Sequence, residues 1–261
     1  MVVQFQHLGM PRILIVVDAQ VEKTGRLVEA STTTAQILDA MKEAMLFQSR
    51  FANALHSPAP VIVDITTSTE LAESALLPSQ LSNLTAQDII WCPLTLDVPS
   101  TLEFPAQTIF QACRQVKSLR PRVQQQLGYA TSDGSQKLGD LYLPVVLTAK
   151  GPLYGEVIRE EQAANLYQQP IDLPDNQRQP LYHLAYQLLQ SLLAPPAVYL
   201  LQFGYNEQNI VFDRLWPFPA APAIASIGIQ EPDLFTCHWH CLTGQPILDL
   251  TIIPKDDIWS H

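Results

Sequence analysis

The first regular pattern along the chain is a continuous apolar run at residues 13–17 (ILIVV), closed by Asp18. Five apolar positions in a row, mostly β-branched, fit a strand covered on both faces rather than one with a wet side. Thr33 and Gln36 then form a capping-box pair, and Ile37, Met41, Ala44, Phe51 and Leu55 recur at helical spacing until His56, Ser57 and Pro58 stop them. Residues 61–65 form a second strand-like run, and Thr67 with Glu70 repeats the capping box ahead of a helix reaching Leu77. Residues 88–92 predict a third strand. Pro105 stands at a plausible first helical position, and Ile109, Phe110, Cys113 and Val116 share one face of the helix that follows. Pro121 should break or kink it. Strand and helix alternating three times predict a parallel sheet with crossover helices.

The pattern changes after a polar, turn-rich stretch at residues 129–140, the best boundary or surface loop in the chain. Residues 141–149 and 155–160 read as a β-pair around Lys150, Gly151 and Pro152. A helix over about 180–193 carries Leu181, Leu184, Leu188 and Leu192 on one face and Tyr182, Tyr186, Leu189 and Leu193 on another. Apolar residues on both faces predict burial between layers. Strand-like runs at 197–203 and 209–216 flank a turn at 204–208, followed by a proline-studded loop and a short helix. Residues 247–253 suggest a last strand, and 255–261 a frayed tail. The expected fold is therefore α/β. Residues 1–130 would form a parallel-sheet half with crossover helices, and 138–254 an α+β half containing a β-hairpin and a Pro-rich loop.

Composition narrows the function classes. Of 261 residues, 47% are hydrophobic and only 15% charged, which leaves the surface to uncharged polar groups or to a covering protein partner. A net charge of −10 with 15 basic residues argues against nucleic acid, whose binding rests on Lys and Arg displacing condensed cations. Arg114, Lys117, Arg120 and Arg122 make a local basic strip that reads as a solvated helix face. No run of about 20 apolar residues offers a membrane span. The N-terminus does not read as a secretory signal, and four scattered cysteines do not read as a disulfide framework, so a reduced cytoplasmic location is expected.

Three groups of residues carry candidate chemistry. Asp18 and Asp64 close apolar strands, where open parallel sheets place their ligands. With Asp213 at the end of the hairpin, they are the candidate catalytic carboxylates, able to hold Mg²⁺ or share a proton. Each also fits a plain role accepting turn N–H groups. Cys237, His238, His240 and Cys241 are candidate zinc ligands, although four side chains around little more than one helical turn cannot all reach one ion. The alternative makes the cysteines small buried hydrophobes and leaves the histidines at a surface edge. Trp216 and Phe218, on a loop stiffened by Pro217, Pro219 and Pro222, are candidate anchors for a protein partner, or a cover over the core edge. No GxGxxG, Walker, GxSxG or HExxH motif occurs.

The order of helix, strand, hairpin, strand, Pro-rich loop and helix over residues 180–244 resembles the C-terminal part of ATP-grasp ligases. That resemblance implies metal-binding acidic and amide residues at the end of the second hairpin strand, where this chain has Asp213, Arg214 and Leu215; the acid matches and the amide does not. The run Leu143, Pro144, Val145, Val146, Leu147 resembles the family's nucleotide-side strand, but Thr148 stands where the family has lysine and Lys150 is displaced. The function first expected from the neutral surface and stiff loop is a cytosolic, non-catalytic binding or assembly factor. The alternative is a divalent-metal-dependent nucleotide-binding enzyme. A zinc-stabilised module is a third possibility.

Overall fold

The computed structural model describes residues 12–21, 27–52, 62–67, 71, 89–133, 139–161 and 166–254. Strand β1 (Arg12–Val17) lies at the centre of a parallel sheet, with β4 (Ile62–Thr67) on one side and β5 (Ile89–Pro93) on the other. Ile13, Ile15 and Val17 face the main core, while Leu14 and Val16 join Ile89 and Trp91 in a second cluster. Both faces of β1 are therefore dry, as its unbroken apolar run requires. A short antiparallel pair, β2 (Gln20–Val21) and β3 (Leu27–Glu29), follows β1.

Helix α1 (Thr32–Ala52) starts earlier than the capping box predicts. Ser31 is the residue that closes its first turn: its Oγ accepts the Thr34 N–H at 3.0 Å. Leu55 and the expected stop at His56–Pro58 lie outside the described residues. The second capping box also shifts, because Thr66 and Thr67 are still strand; of the helix expected beyond them, Leu71 is helical and the remainder lies outside the described residues.

Helix α2 (Gln107–Arg114) begins two residues after Pro105, and α3 (Val116–Arg122) carries Pro121 inside it. The break falls earlier, at Gln115 (φ −88°, ψ 57°). Beyond Pro121 the chain widens into a π-helical turn, Val123–Leu127, which ends at Gly128 with φ +77°. A proline lacks the N–H of the regular ladder, and a changed helical pitch accommodates the loss.

A seven-stranded sheet forms the second half. Its order is β10 (Tyr167–Ile171), β9 (Val157–Glu160), β7 (Leu141–Thr148), β11 (Ala197–Asn206), β12 (Asn209–Trp216) and β6 (Ala130–Thr131), with β8 (Gly151–Tyr154) also pairing β7. Part of the expected 129–140 loop is thus strand β6, which runs parallel to β12. The hairpin turn is tighter than the five residues expected: β11 and β12 meet through Glu207 and Gln208, with Glu207 at φ +56°.

Helix α4 (Asp175–Ser191) contains Pro180 rather than starting there. It buries Leu181, Leu184, Ala185, Leu188 and Leu189. Complete burial contributes roughly 1.5–3 kcal/mol for each leucine. The second predicted face is split: Leu189 is buried and Tyr182 stacks on Tyr154, while Tyr186 is 47% and Leu193 89% exposed, so α4 covers the core with one side partly open. Helix α5 (Leu234–Thr243) is capped by the Asp233 carboxylate, which accepts the Phe235 and Thr236 N–H groups, and it ends at Gly244 in the left-handed region. Only Thr251–Ile252 of the expected last strand forms one (β14), paired with β13 (Gln230–Glu231).

Candidate functional site

A cleft of about 460 Å³ opens where the two halves meet. The carboxyl ends of β1 and β5 form one wall, through Val17, Asp18 and the 94–97 segment. Leu94 continues the ladder past the end of β5 by donating its N–H to the Val16 carbonyl at 2.8 Å. The Thr95 hydroxyl accepts the Asp97 N–H at 3.0 Å, turning the chain across the strand ends. The other wall comes from Tyr142 on β7, Tyr167 on β10 and the Trp216–Pro222 loop. Beyond the carboxyl edge of parallel strands is where such sheets hold ligands.

The polar groups of this cleft have fixed roles. Tyr142 donates its hydroxyl to Glu160 Oε2 at 3.0 Å, and its ring meets Tyr167 edge-on with centroids 6.2 Å apart. Burial, reinforced by the Glu160 carboxylate, pushes the Tyr142 phenol far up and that of Tyr167 to about 12. Both therefore stay protonated, and Tyr142 acts as a donor. Asp18 is exposed at the strand end, whereas Asp97 pairs with Arg114 at 2.7 Å. The Trp216 indole N–H donates to Gln202 Oε1 at 3.3 Å, with the Arg214 guanidinium 5.2 Å above its ring. Among the described residues that line the cleft there is no lysine or arginine.

The three candidate aspartates occupy separate places. Asp18 follows β1 and lines the cleft. Asp64 lies within β4, level with Leu14, and pairs with Arg12 at 3.1 Å. Four residues of strand, about 13 Å, separate that level from Asp18. Asp213 is 1% exposed in β12. Its Oδ1 is ion-paired with Arg120, its Oδ2 accepts the Gly139 N–H at 2.8 Å, and its backbone carbonyl accepts from Arg120 Nε at 3.0 Å. Gln202 completes the cluster by donating to the Gly139 carbonyl at 2.7 Å.

The divalent cation that the ATP-grasp layout implies does not fit this cluster. A hard cation takes at least six oxygen ligands with open lone pairs. Both oxygens of Asp213 are already committed, Gln202 Oε1 accepts from Trp216, and the next residue along β12 is a second cation, Arg214. An ion placed here would face a guanidinium.

The Cys–His helix holds no metal set either: among the described residues no group of three or more His, Cys, Asp or Glu side chains could ligate an ion. Cys237 and Cys241 are buried. His238 is buried as well, instead of lying at a surface edge, and its Nδ1 accepts the Val198 N–H at 3.2 Å. Desolvation lowers its pKa to about 3, so the ring is neutral. Burial raises the Cys92 and Cys241 thiols to about 12, and those of Cys113 and Cys237 still higher. Native protein should therefore leave Ellman's reagent nearly uncoloured until denaturant is added, and zinc should not raise its melting temperature. Rapid labelling of even one thiol in the folded state would contradict this.

Of the two candidate anchors on the proline loop, Phe218 faces inward and Trp216 stays at the rim. Phe218 is 3% exposed and stacks on Phe110 with centroids 5.9 Å apart, joining α2 to the loop. Trp216 is half-buried at the cleft rim. Arg120 is the site residue that sequence reasoning missed, having been placed on a solvated strip although its side chain is only 13% exposed. The partner, Asp213, lies 93 residues away, and no local spacing signals such a pair.

No protein-family model matches this chain, and no curated protein matches its sequence. Solved structures do match its fold. Glycinamide-RNase-transformylase T from Mycobacterium tuberculosis superposes with a TM-score of 0.64 at 14% identity, over 93% of this chain and 82% of that one. N5-carboxyaminoimidazole synthetase from Staphylococcus aureus, solved with ADP, gives 0.64 at 11% identity over 93% and 80%. An L-amino acid ligase from Bacillus licheniformis gives 0.56 at 9% identity over 89% and 74%. The fold is therefore α/β, of the same kind as these solved structures. The solved structures of like fold are named as a transformylase, a synthetase and a ligase, which runs against the expectation of a non-catalytic assembly factor. Within the loop, Phe218 packs on α2, and both Trp216 and Phe218 line the cleft. Among the described residues no helix is long and apolar enough to cross a membrane.

Proposed function

We propose that this chain is a nucleotide-binding enzyme of ATP-grasp-type layout whose inter-half cleft receives the small substrate. The observation that carries the reading is the cleft itself, at the carboxyl edge of β1 and β5 and closed by aromatic residues of the antiparallel half. Its aromatic walls and protonated tyrosines, with no lysine or arginine among the described lining residues, suit an uncharged or amine-bearing group better than phosphate. Phosphates are better served near Lys150, at the β7–β8 turn. There the Thr148 hydroxyl donates to the Gly151 carbonyl at 2.8 Å and accepts the Lys150 N–H at 3.1 Å, so the turn is braced from within. A hollow of about 180 Å³ adjoins it, lined by Thr148, Lys150 and His240. The chemistry assigned to this chain's own side chains is binding and orientation, with no step passing through a metal at Asp213.

Thermal unfolding with ATP or ADP, each with Mg²⁺ and with EDTA, tests the reading. A ligand at a hundred times its Kd stabilises by about 2.7 kcal/mol, which raises the melting temperature of a chain this size by roughly 5–10 °C. Lys150→Ala should at least halve the shift. No shift with any nucleotide at millimolar concentration removes the proposal. A full shift in Lys150→Ala moves the phosphates away from the β7–β8 turn.

A further inference from the structure

The position where the layout implies a divalent ion is already neutralised, and the structure assigns that role to the guanidinium of Arg120 as a built-in cation. This inference goes beyond the nucleotide reading and does not depend on it. It rests on the lack of fit for a metal at Asp213 and on how completely Arg120 satisfies that residue. Arg120 grips Asp213 twice, through Oδ1 and through the backbone carbonyl. The Gly139 N–H takes Oδ2, and Gln202 secures Gly139 from the neighbouring strand. A guanidinium is planar, protonated at every physiological pH, and matched to two-point recognition of this kind. It delivers fixed positive charge to a carboxylate that is 1% exposed, as a bound ion would, but covalently and without exchange.

Supply of that charge by the chain has a direct consequence. Removing Arg120 frees Asp213 Oδ1 and the Asp213 backbone carbonyl beside the space the guanidinium vacated, two oxygens that a hard cation, keeping water at its other positions, can take up. The variants Arg120→Ala, Asp213→Asn and their combination are compared by thermal unfolding with 5 mM Mn²⁺ and with EDTA. Manganese binding to the wild type and to Asp213→Asn is read by electron paramagnetic resonance.

The wild type and Asp213→Asn should show the same weak manganese binding and no thermal shift. Arg120→Ala should melt about 10 °C lower, the loss typical of a broken buried pair, and manganese should restore at least half of it. The double variant should show no such restoration. Saturable manganese binding to the wild type that disappears in Asp213→Asn overturns the proposal. So does an Arg120→Ala protein that manganese moves no further than the double variant. If Arg120→Ala fails to fold, Arg120→Lys keeps a cation in place and should stay insensitive to manganese, and restoration there counts against the proposal.

Discussion

Replacing Gly139 by alanine should destabilise the fold severely, although the change adds a single methyl group. A Cβ at this position would lie 2.3 Å from the Phe203 carbonyl oxygen and 2.4 Å from its carbon. These are backbone atoms of β11, which is held on both sides by the ladders to β7 and β12. The atoms in the way are backbone and not the far end of a flexible side chain. Moving residue 139 outward would strip the Gly139 N–H from Asp213 Oδ2 and the Gly139 carbonyl from Gln202 Nε2, leaving one oxygen of the buried carboxylate and one amide nitrogen without these partners. The combined cost exceeds about 4 kcal/mol, a large part of the 5–15 kcal/mol that holds a typical domain together. Gly128→Ala is the contrasting variant. Residue 128 has φ +77° with nothing within 4 Å, so only the left-handed conformation is penalised, by about 1–2 kcal/mol. Soluble yield and melting temperature distinguish the two. A Gly139→Ala protein melting within a few degrees of the wild type would refute the close approach of residue 139 to β11.

The second large effect is on acid stability. His238 is buried against β11, and desolvation lowers its pKa to about 3 from the 6.5 of a free imidazole. Between those two values the unfolded chain binds a proton that the folded chain refuses. Stability is therefore full above pH 6.5 and falls as the pH drops toward 3. The total is on the order of 4 kcal/mol, and roughly 2 kcal/mol of it appears between pH 6.5 and 5, above the range where carboxylates titrate. His240 adds in the same direction, its pKa also lowered by burial. His238→Gln keeps an acceptor for the Val198 N–H and removes the titration. Chemical denaturation of this variant should give a distinctly flatter profile from pH 5 to 6.5. An unchanged slope would assign the acid sensitivity elsewhere.

Where the information is local, sequence and structure agree. The dry run of β1 announces a strand covered on two faces, and the mixed α/β class follows from alternating periodicities. The hairpin and the helix after it stand where composition puts them, because Asp233 and Gly244 bound α5 by their own chemistry. Boundaries shift where tertiary packing outweighs a local motif, as at Ser31 and at the prolines carried inside α3 and α4. The candidate site was less legible. Asp18 could be read because it ends a strand, but the partners of Asp213 are set by a fold that joins α3 to β12. Periodicity marks Arg120 as one basic residue in four on a strip, and nothing along the chain distinguishes the one that turns inward. Likewise, nothing in the spacing of the Cys–His segment marks His238 as the residue packed beneath β11.

The 93-residue separation between Arg120 and Asp213 also sets an order of events when the chain folds. The β11–β12 hairpin closes over a two-residue turn, a local step on the microsecond scale. The guanidinium reaches it only after a far longer loop has been drawn shut, which is entropically slower. Until then Asp213 stays hydrated on a half-formed sheet. Locking that carboxylate away belongs to the last phase of assembly, after the barrier, so losing the contact should hasten unfolding far more than it delays refolding.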